Sequence, residues 1–220
     1  LKGRSARLIA YSAAHFFVDF ACALLLLSSG RAGGLGVFLL YNYCAFALQL
    51  PLGILADRLD KNAGFAALGC GLVASAFALS AAPAALAIVA GVGNALFHVG
   101  GGVDVLGDSG RKASALGIFV SPGALGLFAG SALAGVFPGV CAVLLLALCA
   151  GAILFVARLY GRLRRSGNAA LCLRGVLGPR RRPAAPLAVA GLVLVVVLRS
   201  YVGLAVQMPW QAADGWSFAA

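Results

Sequence analysis

Charged residues are scarce in this chain: only 10% of its 220 residues are charged, whereas 62% are hydrophobic. A water-soluble domain needs about a quarter of its residues charged to cover its surface. The scarcity therefore excludes an ordinary soluble protein. The hydrophobic runs are about 20 residues long, which is the length that a helix needs to cross a hydrocarbon layer of about 30 Å. The sequence predicts an all-α, polytopic membrane protein.

Several signatures of other protein classes are also missing. None of the six cysteines forms a CxxC pair, so we expect most of them to be buried small apolar residues, and no metal site or cofactor is predicted. A retinal protein needs a lysine in its seventh helix, but the only lysines are Lys2, Lys61 and Lys112. Despite a net charge of +11, no basic run is interleaved with aromatic residues, which argues against nucleic acid as a partner.

Seven apolar runs predict seven membrane spans. We expect them at about residues 8–28, 35–56, 63–81, 84–105 and 115–136, then from the Phe137-Pro138-Gly139 turn to about residue 157, and finally at 187–208. This pattern predicts three regions. Residues 1–157 form an N-terminal six-helix transmembrane bundle, residues 158–186 form a basic cytoplasmic linker, and residues 187–220 contain the first helix of a truncated second bundle.

The distribution of basic residues predicts the orientation of these spans. Fifteen of the 17 lysines and arginines precede the first span or lie in alternate connecting segments, and eight arginines lie in the connector after the sixth span. Only Arg31 and Arg199 depart from this pattern. Because basic residues collect on the cytoplasmic side, the N-terminus is predicted to be cytoplasmic in a multi-pass protein of the cell's inner (plasma) membrane.

One dense cluster of charge, Gly53 to Asn62 (GILADRLDKN), interrupts the apolar sequence between the second and third spans. Charge is costly inside a bilayer, so this segment is expected at a water boundary. It resembles the loop signature of the major facilitator superfamily, G-x-L-a-D-r-x-G-r-[RK], although Asp60 replaces a glycine and Asn62 a basic residue. The resemblance implies a gating loop in which an aspartate caps a helix end and pairs with basic residues; its members here are Gly53, Asp57, Arg58 and Lys61.

Four further stretches resemble the fosmidomycin-resistance branch of that superfamily. They are HFFVD in the first span, GVGNALFHVGG in the fourth, GIFVSPGALG in the fifth, and LRSYVG followed by Met208-Pro209 in the seventh. The resemblance implies a secondary active transporter that exports a small drug-like or anionic compound by alternating access, with protons as the coupling ion. It also implies a twelve-helix fold, of which this chain would be a fragment that needs a missing C-terminal half.

Two pairs of polar residues inside the spans are the candidate coupling residues. His15 and Asp19 are four residues apart in the first span, and Asn94 and His98 repeat this spacing in the fourth, so each pair shares a helix face. In the superfamily's fold these two helices line the central cavity, which would bring the pairs together. One hypothesis is that Asp19, with His15 or His98, takes up and releases a proton. The alternative is that the groups only satisfy each other's hydrogen bonds.

Arg199 is the third candidate, because a charged residue midway along the seventh span could bind an anionic substrate in a cavity. Alternatively, it snorkels to an interface. Two other functions remain open: a seven-helix facilitator for small solutes, and an intramembrane enzyme that uses HFFVD as an acid–base pair. The enzyme is disfavoured, because neither GxSxG nor HExxH occurs.

Glycines are frequent in the fourth and fifth spans, where they predict close approach between helices. They are Gly91, Gly93, Gly100, Gly101, Gly102, Gly117, Gly123, Gly126 and Gly130.

Overall fold

A computed structural model describes residues 2–28, 30–109, 113–160 and 194 of the chain. The chain divides into two compact units, Leu1–Ser166 and Gly167–Ala220, and all the helices given below belong to the first. Of the second unit only Leu194 is described, and it is helical. The last described helix extends to Leu159, so the first two residues of the predicted linker are helical. Residues 161–186 of that linker, the rest of the predicted seventh span and Arg199 lie outside the described residues.

The described residues form helices and no strands. Six helical segments are long and apolar enough to cross a membrane, which confirms the predicted all-α class and is compatible with a multi-pass membrane protein. They are Gly3–Ser28, Gly34–Leu59, Asn62–Leu79, Pro83–Asp108, Ala113–Ala132 and Gly139–Leu159, and we number these spans in chain order. The α-helices are Lys2–Ser28, Gly30–Asn42, Gln49–Leu59, Asn62–Ala76, Pro83–Asp108, Ala113–Ala132 and Gly139–Leu159, with a π-helix at Tyr43–Ala47 and a 3₁₀-helix at Phe77–Leu79.

The second span is interrupted, and Pro51 gives a physical reason. Proline has no N–H, so Pro51 cannot donate a hydrogen bond to the carbonyl of Ala47 four residues earlier. The chain passes through the π-helix Tyr43–Ala47 and resumes as an α-helix at Gln49. The Gln49 side chain donates to the Ala45 carbonyl at 2.9 Å. Pro51 thus lies in the first turn of the new helix, where its missing donor costs least.

The predicted turns at proline are present. Pro83 is the first residue of the fourth span. Pro138 immediately precedes the sixth span, with an extended backbone conformation of φ −65° and ψ 123°. Because proline fixes φ and cannot continue a preceding helix, both residues mark where the next span begins, a few residues after the preceding span has ended at Leu79 or Ala132.

Asp60 ends the second span in the left-handed conformation, with φ 49° and ψ 42°. Its backbone N–H donates to the Ala56 carbonyl at 2.9 Å, which closes the last turn of the helix. Glycine is the usual residue at such an ending, and aspartate is one of the few others that tolerate it. The replacement of the signature's glycine therefore keeps the backbone conformation that glycine favours.

The spans contact one another in a repeated pattern. The first span packs along the fifth, and the fourth packs in the same way against the second. The fourth also packs along the third, as the first does along the sixth, and the third and sixth contact each other. An exchange of spans one to three with spans four to six therefore reproduces these neighbour pairs, although the contact of the first span with the third has no comparable counterpart between the fourth and sixth.

Glycines allow the closest of these contacts, as predicted, although the prediction is wrong for Gly117, where an added Cβ would meet nothing within 4 Å. A Cβ on Gly126 would overlap the backbone carbonyl oxygen of Phe16 in the first span, and one on Gly130 would overlap that of Phe20. A Cβ on Gly93 would lie 2.9 Å from the Gly69 carbonyl oxygen in the third span. Since these obstacles are backbone atoms, they cannot rotate away, and only glycine fits.

Candidate functional site

Both predicted polar pairs meet between the first and fourth spans. His15 Nε2 lies 3.2 Å from Asp19 Oδ2, and His98 Nε2 lies 4.0 Å from Asp19 Oδ1. The Asn94 amide donates to Asp19 Oδ1 at 3.1 Å. The two imidazole rings are edge to face, with their centroids 4.5 Å apart. We call these four residues the polar cluster.

The cluster has a buried side and a partly exposed side. His15 and Asn94 are 2% and 3% exposed, so span packing fixes them. The side chains of Asp19 and His98 retain 20% and 24% exposure. A carboxylate that faced lipid would be very costly. The exposed side of Asp19 is therefore best placed toward water or another polar surface.

Backbone carbonyls orient both imidazole rings. His15 Nδ1 lies 2.8 Å from the carbonyl oxygen of Phe119 in the fifth span, and His98 Nδ1 lies 2.9 Å from that of Asn94. A carbonyl only accepts hydrogen bonds, so each Nδ1 carries the proton. In a neutral ring the lone pair is then on Nε2, the atom nearest to Asp19. The Nε2 lone pairs would then face the carboxylate oxygens of Asp19, and acceptor would face acceptor unless a proton or another cation lay between them.

The fifth span supplies two parts of the site that the sequence did not reveal. The Phe119 carbonyl orients His15. Gly123 lets the side chains of Asp19 and His15 pack against the fifth span, because a Cβ there would lie 2.6 Å from Asp19 Oδ2 and overlap His15 Nε2. The sequence predicted Gly123 only as a packing residue. Its spacing carries no sign of which polar group it faces, since that depends on how the first span docks.

Cys22 lies at the edge of the cluster and is buried. Its Sγ is 3.8 Å from the Asn94 amide nitrogen, which donates to it. Of the five cysteines in the described residues, all are free, and all but Cys141 are buried. The predicted role of cysteines as buried apolar residues is thus confirmed for those four.

A second polar network joins the first, third and fourth spans. The Arg7 guanidinium makes a two-point contact with Asp108, with Nη2 donating to Oδ1 at 2.9 Å and Nε lying 2.8 Å from Oδ2. The Tyr11 hydroxyl donates to Asp104 at 2.6 Å, and the Asn62 amide donates to the same carboxylate at 2.8 Å. The sequence analysis missed this network, because it interpreted Arg7 only as one of the basic residues that set the orientation of the spans in the membrane. The matching four-residue spacings, Arg7 to Tyr11 and Asp104 to Asp108, were the available signal.

The gating loop predicted at Gly53, Asp57, Arg58 and Lys61 is not brought to the polar cluster. Within the described part of the chain, Asp57 and Arg58 make no side-chain hydrogen bond or ion pair. The connection containing Arg111 and Lys112 lies outside the described residues. The pairing of Asp57 with basic residues stays a prediction.

No family model, no curated protein and no solved structure matches this chain. Its function is therefore inferred from the geometry of the polar cluster and from the arrangement of the spans.

Proposed function

We propose that this chain belongs to a secondary transporter of the major facilitator type, similar to the fosmidomycin-resistance branch, and that the polar cluster binds its coupling cation, the proton. The transporter would lie in the cell's inner membrane with a cytoplasmic N-terminus and export a small drug-like or anionic compound. The observation that carries the proposal is the alignment of two imidazole Nε2 atoms on one carboxylate, with both Nδ1 atoms held by backbone carbonyls.

The position of the cluster along the spans supports a transport role. The first and fourth spans, Gly3–Ser28 and Pro83–Asp108, each have 26 residues. His15 lies at the middle of the first, and the middle of the fourth falls between Asn94 and His98. Ionisable side chains at such depth are expensive, and they commonly mark ion or substrate pathways in membrane proteins.

The repeated packing of the spans also supports this proposal. The first and fourth spans occupy corresponding places in the exchange of spans one to three with four to six. Each carries a polar pair at four-residue spacing, so corresponding helices contribute corresponding faces to the cluster. Secondary transporters are commonly built from such repeats, with their binding sites near the bilayer midplane at the repeat interface.

Compound-dependent proton movement in proteoliposomes tests the proposal. The chain is reconstituted together with the second bundle that alternating access requires, whether encoded with it or supplied as a separate chain. An internal pH-sensitive dye is enclosed, a pH gradient is imposed, and a panel of amphipathic organic anions and cations is added. At least one compound should accelerate proton movement through the native chain. Asp19→Asn should abolish that acceleration, because the amide cannot carry the negative charge that attracts the cation.

Asp60→Asn is the matched control, since it makes the same chemical change outside the cluster at a position where asparagine also tolerates the left-handed conformation. It should leave proton movement unchanged. The proposal fails if no compound moves protons through the native chain, or if Asp19→Asn behaves like the control.

A further inference from the structure

We propose that the polar cluster is also a binding site for a divalent transition-metal ion of the Zn²⁺ and Co²⁺ type, held by His15 Nε2, His98 Nε2 and one carboxylate oxygen of Asp19. This inference deepens the proposed function, on which it rests for the role of the cluster as a cation site. It assigns a second, competing cation to the same donor atoms.

The donor set matches the chemistry of these ions. Two imidazole nitrogens and one carboxylate oxygen are the ligands of many three-residue zinc sites, which leave a further coordination position open. Mg²⁺ and Ca²⁺ prefer sites made of oxygen atoms, so two imidazoles select against them. A site with an open position suits an ion that is exchanged.

The distances require only a small adjustment. One ligand atom from each of the three residues lies within 4.8 Å of the others. Ligands bonded at about 2.0–2.1 Å in tetrahedral geometry lie about 3.3 Å apart. The separation of 3.2 Å between His15 Nε2 and Asp19 Oδ2 already fits that geometry. His98 must approach by roughly 1 Å on this geometric criterion, and its 24% exposure leaves it room to rotate.

The surrounding groups hold the three ligands as metal sites usually require. A metal-binding histidine normally donates its other ring N–H to a carbonyl or carboxylate, which directs its lone pair to the metal. Here the carbonyls of Phe119 and Asn94 do this for the two histidines. The Asn94 amide steadies the Asp19 carboxylate.

The fifth span packs tightly against two of the ligands at Gly123. The position that a Cβ on Gly123 would occupy is 2.6 Å from Asp19 Oδ2 and 2.5 Å from Cδ2 of His15. A methyl group there would displace the His15 ring and the Asp19 carboxylate from the positions in which they could share an ion. The neighbouring thiol of Cys22 accepts a hydrogen bond from the Asn94 amide and is no part of the donor set.

Cobalt spectroscopy of the full chain tests the inference directly. Co²⁺ is titrated into the purified protein in detergent micelles. We expect one ion per chain, visible d–d absorption characteristic of four-coordinate nitrogen and oxygen ligation, no thiolate-to-metal charge-transfer band, and displacement by one equivalent of Zn²⁺. Equilibrium dialysis with Zn²⁺ alone gives an independent stoichiometry.

Variants distinguish binding at this site from nonspecific metal binding. Asp19→Asn and His98→Ala should each weaken Co²⁺ binding by about tenfold or more, since even supporting groups contribute that much to metal affinity. Gly123→Ala should weaken it too. The matched control is Gly117→Ala in the same span, where an added Cβ meets nothing within 4 Å. Far-UV circular dichroism verifies that each variant keeps its helices.

The outcomes distinguish this inference from the proposed function. No binding at stoichiometric Co²⁺, binding that survives both Asp19→Asn and His98→Ala, or a thiolate charge-transfer band would each overturn the metal site. Compound-dependent proton movement that needs Asp19, without metal binding, would overturn the metal site and leave the transporter standing. Metal binding without such proton movement would support the site and count against proton-coupled export.

Discussion

His15 and Asp19 lie one helical turn apart, with Nε2 and Oδ2 separated by 3.2 Å, while the other nitrogen of the same imidazole is held by the carbonyl of Phe119. The ring therefore cannot turn away from the carboxylate without losing a buried hydrogen bond. This arrangement concentrates negative potential at a fixed point inside the bundle, and it is the reason for assigning a cation there.

The two histidines should react at very different rates with diethyl pyrocarbonate. They are the only histidines of the chain. The side chain of His98 is 24% exposed and that of His15 only 3%, so His98 should be modified several-fold faster. Peptide mass spectrometry of the labelled chain measures both sites in one sample. Equal rates would show that the cluster is open on both sides, contrary to the packing around His15.

Replacing Gly126 with alanine should destabilise the bundle. The new Cβ would overlap the Phe16 carbonyl oxygen, which is fixed in the first span, so the two helices must separate. Overpacking of this kind costs about 1–3 kcal/mol. Reversible unfolding in mixed micelles, followed by circular dichroism, measures the change.

Gly117→Ala is the control for that experiment, because its Cβ has open space. Alanine favours a helix over glycine by about 0.5–1 kcal/mol, so this variant should be as stable as the native chain or slightly more so. An equal loss of unfolding free energy in Gly126→Ala and Gly117→Ala would contradict the helix packing between the first and fifth spans.

The contact between Arg7 and Asp108 should show measurable coupling. Its side chains are 12% and 25% exposed, and one charge-assisted hydrogen bond, from Nη2 to Oδ1 at 2.9 Å, joins them. In a double-mutant cycle with Arg7→Gln and Asp108→Asn, we expect a coupling free energy of about 1 kcal/mol, within the range for residues in direct contact. Additive effects of the two changes would show that the contact contributes nothing to stability.

Asp60→Gly should stabilise the end of the second span. Asp60 has a φ of 49°, and the left-handed conformation costs residues with a Cβ about 1–2 kcal/mol. Because aspartate is among the residues that tolerate it, the expected gain is at the low end, about 0.5–1 kcal/mol. Asp60→Val should instead be destabilising, since a β-branched side chain is poorly accommodated there. The same unfolding assay compares the pair, and a less stable glycine variant would contradict the assigned turn.

Sequence alone determined the local features of this protein. The lengths of the apolar runs fixed the six membrane-length helices of the described residues, because crossing a hydrocarbon layer sets a minimum length. Pro83 and Pro138 marked where the fourth and sixth spans begin. The four-residue spacing of His15 with Asp19, and of Asn94 with His98, placed each pair on one helix face, since helical periodicity is a local property.

Only the tertiary structure decided which faces meet. The Phe119 carbonyl reaches His15 across 104 residues of chain, and Arg7 reaches Asp108 across 101. Gly123 is one glycine among many in the sequence, and it gains its place beside Asp19 only when the first and fifth spans dock. Such contacts depend on the relative rotation and depth of two helices. Those quantities are set by packing along the whole interface, so no short stretch of sequence contains them.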